Sequence, residues 1–236
     1  MAAPAMILAA GRGERMRPLT DRCPKPLLQV RGKPLLQYHL EALGRSGYGE
    51  VVVNTAWLGQ QIEERFGAGG HQGGREWPRI RYSDEARAFG GALETAGGIA
   101  RALPLLADVF WLAGGDVYMP GFEFRRDAME RFAASDRLAH LVLVPNPGHN
   151  PKGDFGLLPD GHAVRDAGQR YTYSTVGLYR QAFFASLPAG NPQGLKVPML
   201  PLLLAAMENR QLTAELYTGP WTDVGTPERL EQLNAS

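Results

Sequence analysis

Two cationic side chains close to a glycine-containing loop are the first residues in the chain with an evident chemical use. The apolar run 6–10 leads into Gly11-Arg12-Gly13, and Arg15 and Lys25 follow. Small residues allow a backbone to approach a ligand closely, and free N–H groups in such a loop can bind phosphate oxygens. The pattern indicates a phosphate-binding loop in which Arg15 and Lys25 supply positive charge.

The glycine loop matches neither of two common nucleotide-binding patterns. Met16 stands where the dinucleotide fingerprint needs its third glycine, and no Gly-Lys-Ser/Thr follows as in the Walker A motif. A Gly-x-Gly sequence alone is also compatible with an ordinary tight turn. Arg17 is interpreted either as a phosphate contact or as an ion-pair partner, and Arg12 as a solvent-facing side chain.

Asp116 and Asp223 are candidate metal ligands. Asp116 comes shortly after the apolar run 109–112, and Asp223 lies at a distant position in the sequence. Magnesium prefers carboxylate and phosphate oxygens and uses only one or two protein carboxylates. The pair predicts a Mg²⁺ site, with helix caps or turn residues as the alternative. The five histidines are scattered, without the pairing that zinc requires.

Apolar and amphipathic segments predict strands that alternate with helices over about the first 120 residues. The predicted strands are residues 6–10, 51–53, 80–83, 109–112, 140–144 and 171–179. The predicted helices are residues 34–43, 62–66, 97–105, 199–208 and 227–233, and residues 67–74 are predicted to form a loop. This order predicts βαβ units and a parallel α/β sheet with ligands at the carboxyl ends of its strands.

Charge and composition exclude several classes of partner. The 236 residues contain 25 Lys and Arg against 24 Asp and Glu, a formal net charge of +1. So small a charge creates no overall field for nucleic acid or an anionic membrane. No segment has the apolar length of a membrane span, and the single Cys23 excludes an internal disulfide. We expect a cytoplasmic protein, monomeric or weakly dimeric, with one domain over residues 1–236.

Segment 8–27 resembles the signature of the sugar-1-phosphate nucleotidyltransferase family. It reads Leu8-Ala9-Ala10-Gly11-Arg12-Gly13-Glu14-Arg15-Met16-Arg17-Pro18-Leu19-Thr20 and then Pro24-Lys25-Pro26-Leu27. Further matches lie at residues 94–98, 115–116 and 221–226. The resemblance implies a Rossmann-like three-layer α/β/α nucleotidyltransferase fold with a mixed, mostly parallel central sheet. It also implies a nucleotide-binding half at about residues 1–120 and a sugar-binding half at about residues 121–236.

The same resemblance implies roles for individual side chains. Arg15 and Lys25 are implied to be catalytic, and Asp116 and Asp223 to bind Mg²⁺. The residues implied to contact the nucleotide are Leu8, Ala9, Ala10, Gly11, Gly13, Arg15, Lys25, Glu94, Thr95 and Gly97.

A loop in the second half, residues 146–155, resembles the sugar-binding loop of the N-acetylmuramate-1-phosphate uridylyltransferase branch. On this basis His149, Lys152 and Asp154 are predicted to bind the sugar, and the family match at residues 94–98 implies the same role for Glu94. A surface turn rich in Asn, Pro and Gly is the alternative for His149 and Lys152.

The chain departs from the family pattern at three places. Gly114 stands where many relatives have asparagine, which removes one side-chain hydrogen bond near the metal site. Ala96 stands where glycine is common. Residues 173–177, Tyr173-Ser174-Thr175-Val176-Gly177, follow the usual aromatic-serine-glycine pattern only loosely.

We therefore expect a Mg²⁺-dependent transfer of a nucleotidyl group from a nucleoside triphosphate, with UTP favoured, to a sugar 1-phosphate. The expected sugar is N-acetylmuramic acid 1-phosphate, which implies recycling of peptidoglycan from the cell wall. Pyrophosphate would be released. The alternatives are a mannose-1-phosphate guanylyltransferase and, from a different class, a non-catalytic nucleotide-sugar sensor.

Overall fold

The computed structural model describes residues 2–72 and 75–235, in which strands and helices alternate. The helices are α1 (Leu35–Arg45), α2 (Gly59–Phe66), α3 (Glu85–Phe89), α4 (Glu94–Ala102), α5 (Arg126–Ala133), α6 (Leu200–Glu208) and α7 (Pro227–Ala235). The strands are β1 (Ala3–Ala9), β2 (Gln29–Val30), β3 (Lys33–Pro34), β4 (Glu50–Thr55), β5 (Gly69–Gln72), β6 (Arg75–Asp84), β7 (Leu106–Gly114), β8 (Val117–Tyr118), β9 (Ala139–Val144), β10 (Phe155–Leu157), β11 (Ala163–Val164), β12 (Arg170–Arg180), β13 (Leu212–Leu216) and β14 (Thr222–Asp223).

The central sheet is parallel at its middle and antiparallel where the second half of the chain joins it, while strand β13 lies parallel to β9. Strand β1 lies between β4 and β7, and β4 also pairs with β6, all in parallel. The long strand β12 joins the second half of the chain to this core, running antiparallel to β7 and to β9. The predicted mixed, mostly parallel sheet is confirmed, and the carboxyl ends of β1 and β7 lie side by side.

Side-chain alternation divides the core into two faces. Along β1, Ile7 packs into the cluster formed with α1, α2 and α5, whereas Met6 packs into the cluster formed with α4 and α6. In the same way, Trp111 and Phe110 of β7 point to opposite faces. Since successive residues of a strand alternate sides, a continuous apolar run is buried on both. The result is the predicted three-layer arrangement.

A third, smaller cluster fixes the loop after β1 to the far end of the chain. Met16 from that loop packs with Tyr118 of β8 and Val224, which follows β14. Strands β8 and β14 form a two-stranded antiparallel ribbon. Below the ribbon, the buried His39 of α1 donates its Nε2–H to Val117 O at 2.9 Å, and burial lowers the pKa of the ring. These contacts fix the position of the glycine loop relative to the ribbon.

Two predicted elements differ from the structure. The predicted loop 67–74 contains strand β5, which pairs antiparallel with β6, while residues 73–74 lie outside the described residues. The predicted helix 97–105 starts earlier, at Glu94, and ends in a 3₁₀ turn, Leu103–Leu105. Helix α5 was not predicted. Its apolar face is short, formed by Ala128, Met129 and Phe132, and only Phe132 is buried.

None of the helices in the described parts of the chain is long and apolar enough to cross a membrane.

Candidate active site

A cleft of about 460 Å³ opens at the carboxyl ends of β1 and β7, and we call it the first cleft. It collects residues from the glycine loop, from the start of α4 and from the end of β7. The predicted site residues among those lining it are Leu8, Ala9, Ala10, Gly11, Lys25, Glu94, Thr95 and Asp116. Most of the predicted nucleotide-binding set therefore converges on one cavity, at the edge of the sheet where the fold predicts a ligand.

The glycine loop keeps its shape through Gly13. Gly13 has φ +65°, a left-handed conformation, and a Cβ atom there would approach Thr20 Cγ2 to 3.0 Å. The Thr20 hydroxyl donates to Gly13 O at 2.8 Å and closes the turn. Around Gly11, by contrast, a Cβ would meet nothing within 4 Å, so this part of the loop faces open space. Gly13 shapes the loop, and Gly11 leaves room for a ligand.

Lys25 and Asp116 form an ion pair at the base of the first cleft. Lys25 Nζ lies 2.5 Å from Asp116 Oδ2. Lys25 is buried, with 8% of its surface exposed, whereas the Asp116 side chain is 41% exposed. A buried ammonium group held by one carboxylate is poorly solvated by water. It is therefore well suited to attract a phosphate group into the cleft.

The ribbon of β8 and β14 brings Asp223 next to Asp116. Asp223 pairs in register with Val117, and the N–H of Val224 donates to Asp116 O at 3.1 Å. Arg229 of α7 donates its Nη1–H to Asp223 Oδ2 at 2.6 Å and fixes the carboxylate. Two aspartates far apart in sequence thus lie at the same end of the sheet, as the metal-site prediction requires.

The other oxygen of Asp223 is buried and accepts no hydrogen bond from the described residues. His149 Nε2 approaches it to 2.8 Å, but without the alignment of a hydrogen bond. An unsatisfied buried acceptor of this kind is costly unless a donor or a cation completes it. Because Mg²⁺ uses one or two carboxylates and takes its other ligands from phosphate and water, Asp116 and Asp223 fit this ion.

Sequence reasoning missed a chain of buried polar side chains, Asn54 and Glu85, in the wall of the first cleft. Asn54 Oδ1 accepts a hydrogen bond from Ala9 N at 2.8 Å, and Asn54 Nδ2 donates to Glu85 Oε1 at 2.6 Å. The other carboxylate oxygen of Glu85 accepts from Leu93 N at 2.7 Å. Burial raises the pKa of the Glu85 carboxyl, with these hydrogen bonds opposing the shift. This chain ties the glycine strand to the segment before Glu94.

We expect Glu85→Ala to lower the free energy of unfolding by about 1–3 kcal/mol for each buried group left unsatisfied. Both the Asn54 amide and the Leu93 N–H would lose their acceptor. Urea denaturation followed by circular dichroism measures the change. Glu64→Ala, at an exposed position on α2, is the control and should be nearly neutral. Equal midpoints for the two variants would show that Glu85 does not support the cleft.

A second cleft of about 530 Å³ adjoins the first. The two clefts share Leu8, Thr95 and Thr175, so they meet above the end of β1. One wall of the second cleft is the apolar start of α6, and the other carries polar side chains from the β10–β12 region. Its polar and aromatic lining residues are Thr95, Asp154, Phe155, Arg165, Arg170, Tyr173 and Thr175.

The predicted sugar-binding residues of the second half are not all in this cleft. Asp154 lines it, but its carboxylate also accepts hydrogen bonds from Asn150 Nδ2 at 3.1 Å and Tyr173 N at 2.8 Å. His149 instead contacts Asp223, and Lys152 lines a separate polar groove. Short loops redirect neighbouring side chains, so residues 149–154 do not share one face.

Other predicted residues lie away from the first cleft. Arg15 is exposed, at the 3₁₀ turn Glu14–Met16, and is not among the residues lining the cleft. Gly97 is buried in α4, where a Cβ would clash with Leu195 O. Gly97 therefore allows the backbone of Leu195 to pack closely against α4. Direct contact between Gly97 and the nucleotide stays a prediction.

Arg12 and Arg17, the other two arginines of the glycine loop, both contact side chains of the protein. Arg12 was interpreted as solvent-facing, which is wrong. Its guanidinium stacks on Trp57 at 3.7 Å and donates to Thr20 O and Asp21 Oδ1, both at 2.8 Å. Arg17 is an ion-pair partner, with Nε 2.9 Å from Asp21 Oδ1. Hydrogen bonding to Arg12 is the main reason why the pKa of Asp21 is lowered.

Two departures from the family pattern fit together in space. Thr175 has φ +63°, a conformation unfavourable for a β-branched residue, at the point where β12 shifts register against β9. A Cβ atom at Gly114 would clash with Thr175 Oγ1. The threonine side chain therefore occupies the space that a side chain at position 114 would need, at the junction of the two clefts.

Comparison with known proteins agrees with this geometry. A family model described as nucleotidyl transferase matches residues 4–166. Over 98% of this chain and 96% of the relative, the sequence is 47% identical to N-acetylmuramate alpha-1-phosphate uridylyltransferase of Neisseria meningitidis serogroup B. A Caulobacter vibrioides protein of the same name is 31% identical over 95% of this chain and 92% of the relative.

More distant relatives share the fold with other substrates in their names. Mannose-1-phosphate guanylyltransferase of Mycobacterium tuberculosis is 27% identical over 95% of this chain and 61% of its own length. CTP:phosphocholine cytidylyltransferase from Streptococcus pneumoniae superposes with a TM-score of 0.72 at 19% identity, covering 100% of this chain and 99% of that one. The chain belongs to the nucleotidyl transferase family, and it is an enzyme that transfers nucleotidyl groups.

Proposed function

We propose that this enzyme transfers the uridylyl group of UTP to N-acetylmuramic acid 1-phosphate and releases pyrophosphate, in a reaction that requires Mg²⁺. The observation that carries the proposal is the 47% identity, over 98% of the chain, to a relative with that activity in its name. The arrangement of the two clefts supports it.

A nucleotide in the first cleft and a sugar in the second would meet at the shared residues Leu8, Thr95 and Thr175. The reacting phosphates would then lie near Lys25 and Asp116, which line only the first cleft. The acceptor's sugar ring would extend into the second cleft, away from these charges. This order along the cavity is what a transfer between two phosphate-bearing substrates needs.

In the proposed reaction an oxygen of the sugar phosphate attacks the α-phosphorus of UTP. One P–O bond forms there, the bond to the β-phosphate oxygen breaks, and the electron pair leaves with pyrophosphate. Such transfer depends on positioning and on neutralising charge, so no covalent enzyme intermediate is needed. Lys25 is placed to stabilise negative charge around the α-phosphorus. Mg²⁺, held by Asp116 and Asp223, would supply further charge neutralisation at the phosphate oxygens.

Pyrophosphate release across a matrix of nucleotides and sugar 1-phosphates tests the proposal. UTP, Mg²⁺ and N-acetylmuramic acid 1-phosphate should give UDP-sugar and pyrophosphate in equal amounts. Removing the metal with EDTA should stop the reaction, and adding excess Mg²⁺ should restore it. A clear preference for GTP with mannose 1-phosphate would replace this substrate pair. Nucleotide binding without product for any sugar would favour the sensor alternative.

A further inference from the structure

We propose that Arg165 and Arg170 bind a carboxylate on the acceptor sugar and thereby select an acidic sugar over its neutral analogue. This inference rests on the proposed function, in which the acceptor carries a lactyl carboxylate besides its phosphate. The two arginines lie in the second cleft, and nothing in the sequence pattern marked them.

Both arginines line the second cleft, and they come from the two strands that flank β10: Arg170 begins β12 and Arg165 follows β11. Gly156 of β10 pairs with Val164 of β11 on one side and with Arg170 of β12 on the other. Arg165 directly follows Val164. Adjacent strands are about 4.8 Å apart, so the backbones at 164 and 170 are separated by about 10 Å. Two guanidinium groups on long side chains can reach a common ligand across that distance.

Within the described parts of the chain, no side chain forms an ion pair with either arginine. Neither guanidinium forms an ion pair or hydrogen bond with a described residue. Asp154 is the only carboxylate among the residues lining the second cleft, and Asn150 and the Tyr173 N–H already bind its oxygens. Two arginines against this one carboxylate leave the lining of the cleft with a net charge of +1. The planar guanidinium group suits a carboxylate, which it can bind through two parallel hydrogen bonds.

The position of the arginines argues against binding of the reacting phosphate. Lys25 and Asp116 line the first cleft but not the second. Arg165 and Arg170 line the second cleft but not the first, and Arg170 also borders the polar groove that contains Lys152. The transferred group must lie near the first pair, where the clefts join. An anionic group bound by Arg165 and Arg170 is consequently not the reacting phosphate but a different group on the acceptor.

The opposite wall of the second cleft is apolar. Met199, Leu200, Leu203 and Leu204 of the α6 region line it, and Leu200 is 53% exposed. An exposed leucine in a cleft gains from burial against an apolar group of a ligand. The cleft thus matches an acceptor that has a carboxylate on one side and methyl groups on the other. A lactyl ether next to an N-acetyl group has this composition.

The test compares N-acetylmuramic acid 1-phosphate with two references that lack the carboxylate, its lactyl methyl ester and N-acetylglucosamine 1-phosphate. We expect Arg165→Ala and Arg170→Ala each to lower the ratio of kcat/KM for the acid over the ester by about ten- to hundredfold. The change should appear mainly in KM. Arg170→Lys should restore part of the ratio, because it keeps the charge but not the planar geometry. Arg45→Ala, at an exposed position on α1, is the charge-matched control and should leave the ratio unchanged.

The wild-type reaction decides the proposed function, and the variants decide this inference. If wild-type enzyme uses the acid and the arginine variants lose equally on all three sugars, the inference is wrong and the proposed function stands. The inference would also be wrong if Lys152→Ala lowered the ratio of kcat/KM for the acid over the ester and the arginine variants did not. Recognition of the carboxylate would then belong to loop 146–155. If wild-type enzyme does not use the acid, both proposals fail. Thermal unfolding of each variant shows whether it is folded.

Discussion

Asp116→Asn and Asp223→Asn are each expected to lower kcat by about 10³-fold. A metal ion contributes several kcal/mol of charge stabilisation in such reactions, and each 1.4 kcal/mol corresponds to a factor of ten. The amide keeps the size of the side chain but removes the charge that Mg²⁺ requires. Steady-state rates of pyrophosphate release over a range of Mg²⁺ concentrations give the measurement.

Asp136→Asn is the matched control, because its side chain is 86% exposed and lines neither cleft. Thermal unfolding is needed for the two site variants, since each aspartate has an ion-pair partner, Lys25 or Arg229. A folded variant with a wild-type rate would remove that aspartate from the metal site. Partial recovery at high Mg²⁺ would instead show that weakened metal binding accounts for the loss.

Lys25→Ala is expected to lower kcat by about 10²–10³-fold, the usual cost of removing one preorganised group that stabilises the transition state. Lys25 is buried beside Asp116, so its charge is fixed in place before the substrate arrives. The effect should fall on kcat more than on KM. A change confined to KM would mean that Lys25 binds ground state and transition state equally.

Lys196→Ala, at an exposed position, is the control for the loss of one lysine charge. The double variant Lys25→Ala/Asp116→Asn should lose less than the product of the single effects, since the two side chains contact each other. Arg15→Ala belongs in the same series. Arg15 is implied to be catalytic by resemblance, but it is exposed outside the first cleft, so an unchanged kcat would exclude that role.

Much of the first cleft could be predicted because its residues are local in sequence or lie at strand ends. Residues 8–11 follow from an apolar run that ends in glycine, and Lys25 belongs to the same continuous segment. Asp116 follows the next apolar run, and parallel strands bring such ends together. Asp223 needed the family resemblance, because only the pairing of β14 with β8 places it beside Asp116.

The remaining site residues depend on contacts that sequence spacing does not encode. Glu85 has no apolar or motif context, yet it is fully buried and bonded to Asn54. Arg229 looks like an ordinary helix residue until its contact with Asp223 is seen. Arg165 and Arg170 face one cavity only because two strands flank β10. His149 and Lys152, adjacent in a loop, were expected together but point to different places.

The contact between Gly114 and Thr175 means that substitutions at these two positions should affect the stability of the protein together and not independently. The Cβ atom of an asparagine at position 114 would clash with Thr175 Oγ1, so the threonine side chain would have to move. Glycine at position 175 would remove the overlap and also suit the positive φ of +63°. Gly114→Asn is therefore expected to destabilise the protein less in a Thr175→Gly background than on its own. A double-mutant cycle of unfolding free energies measures this coupling.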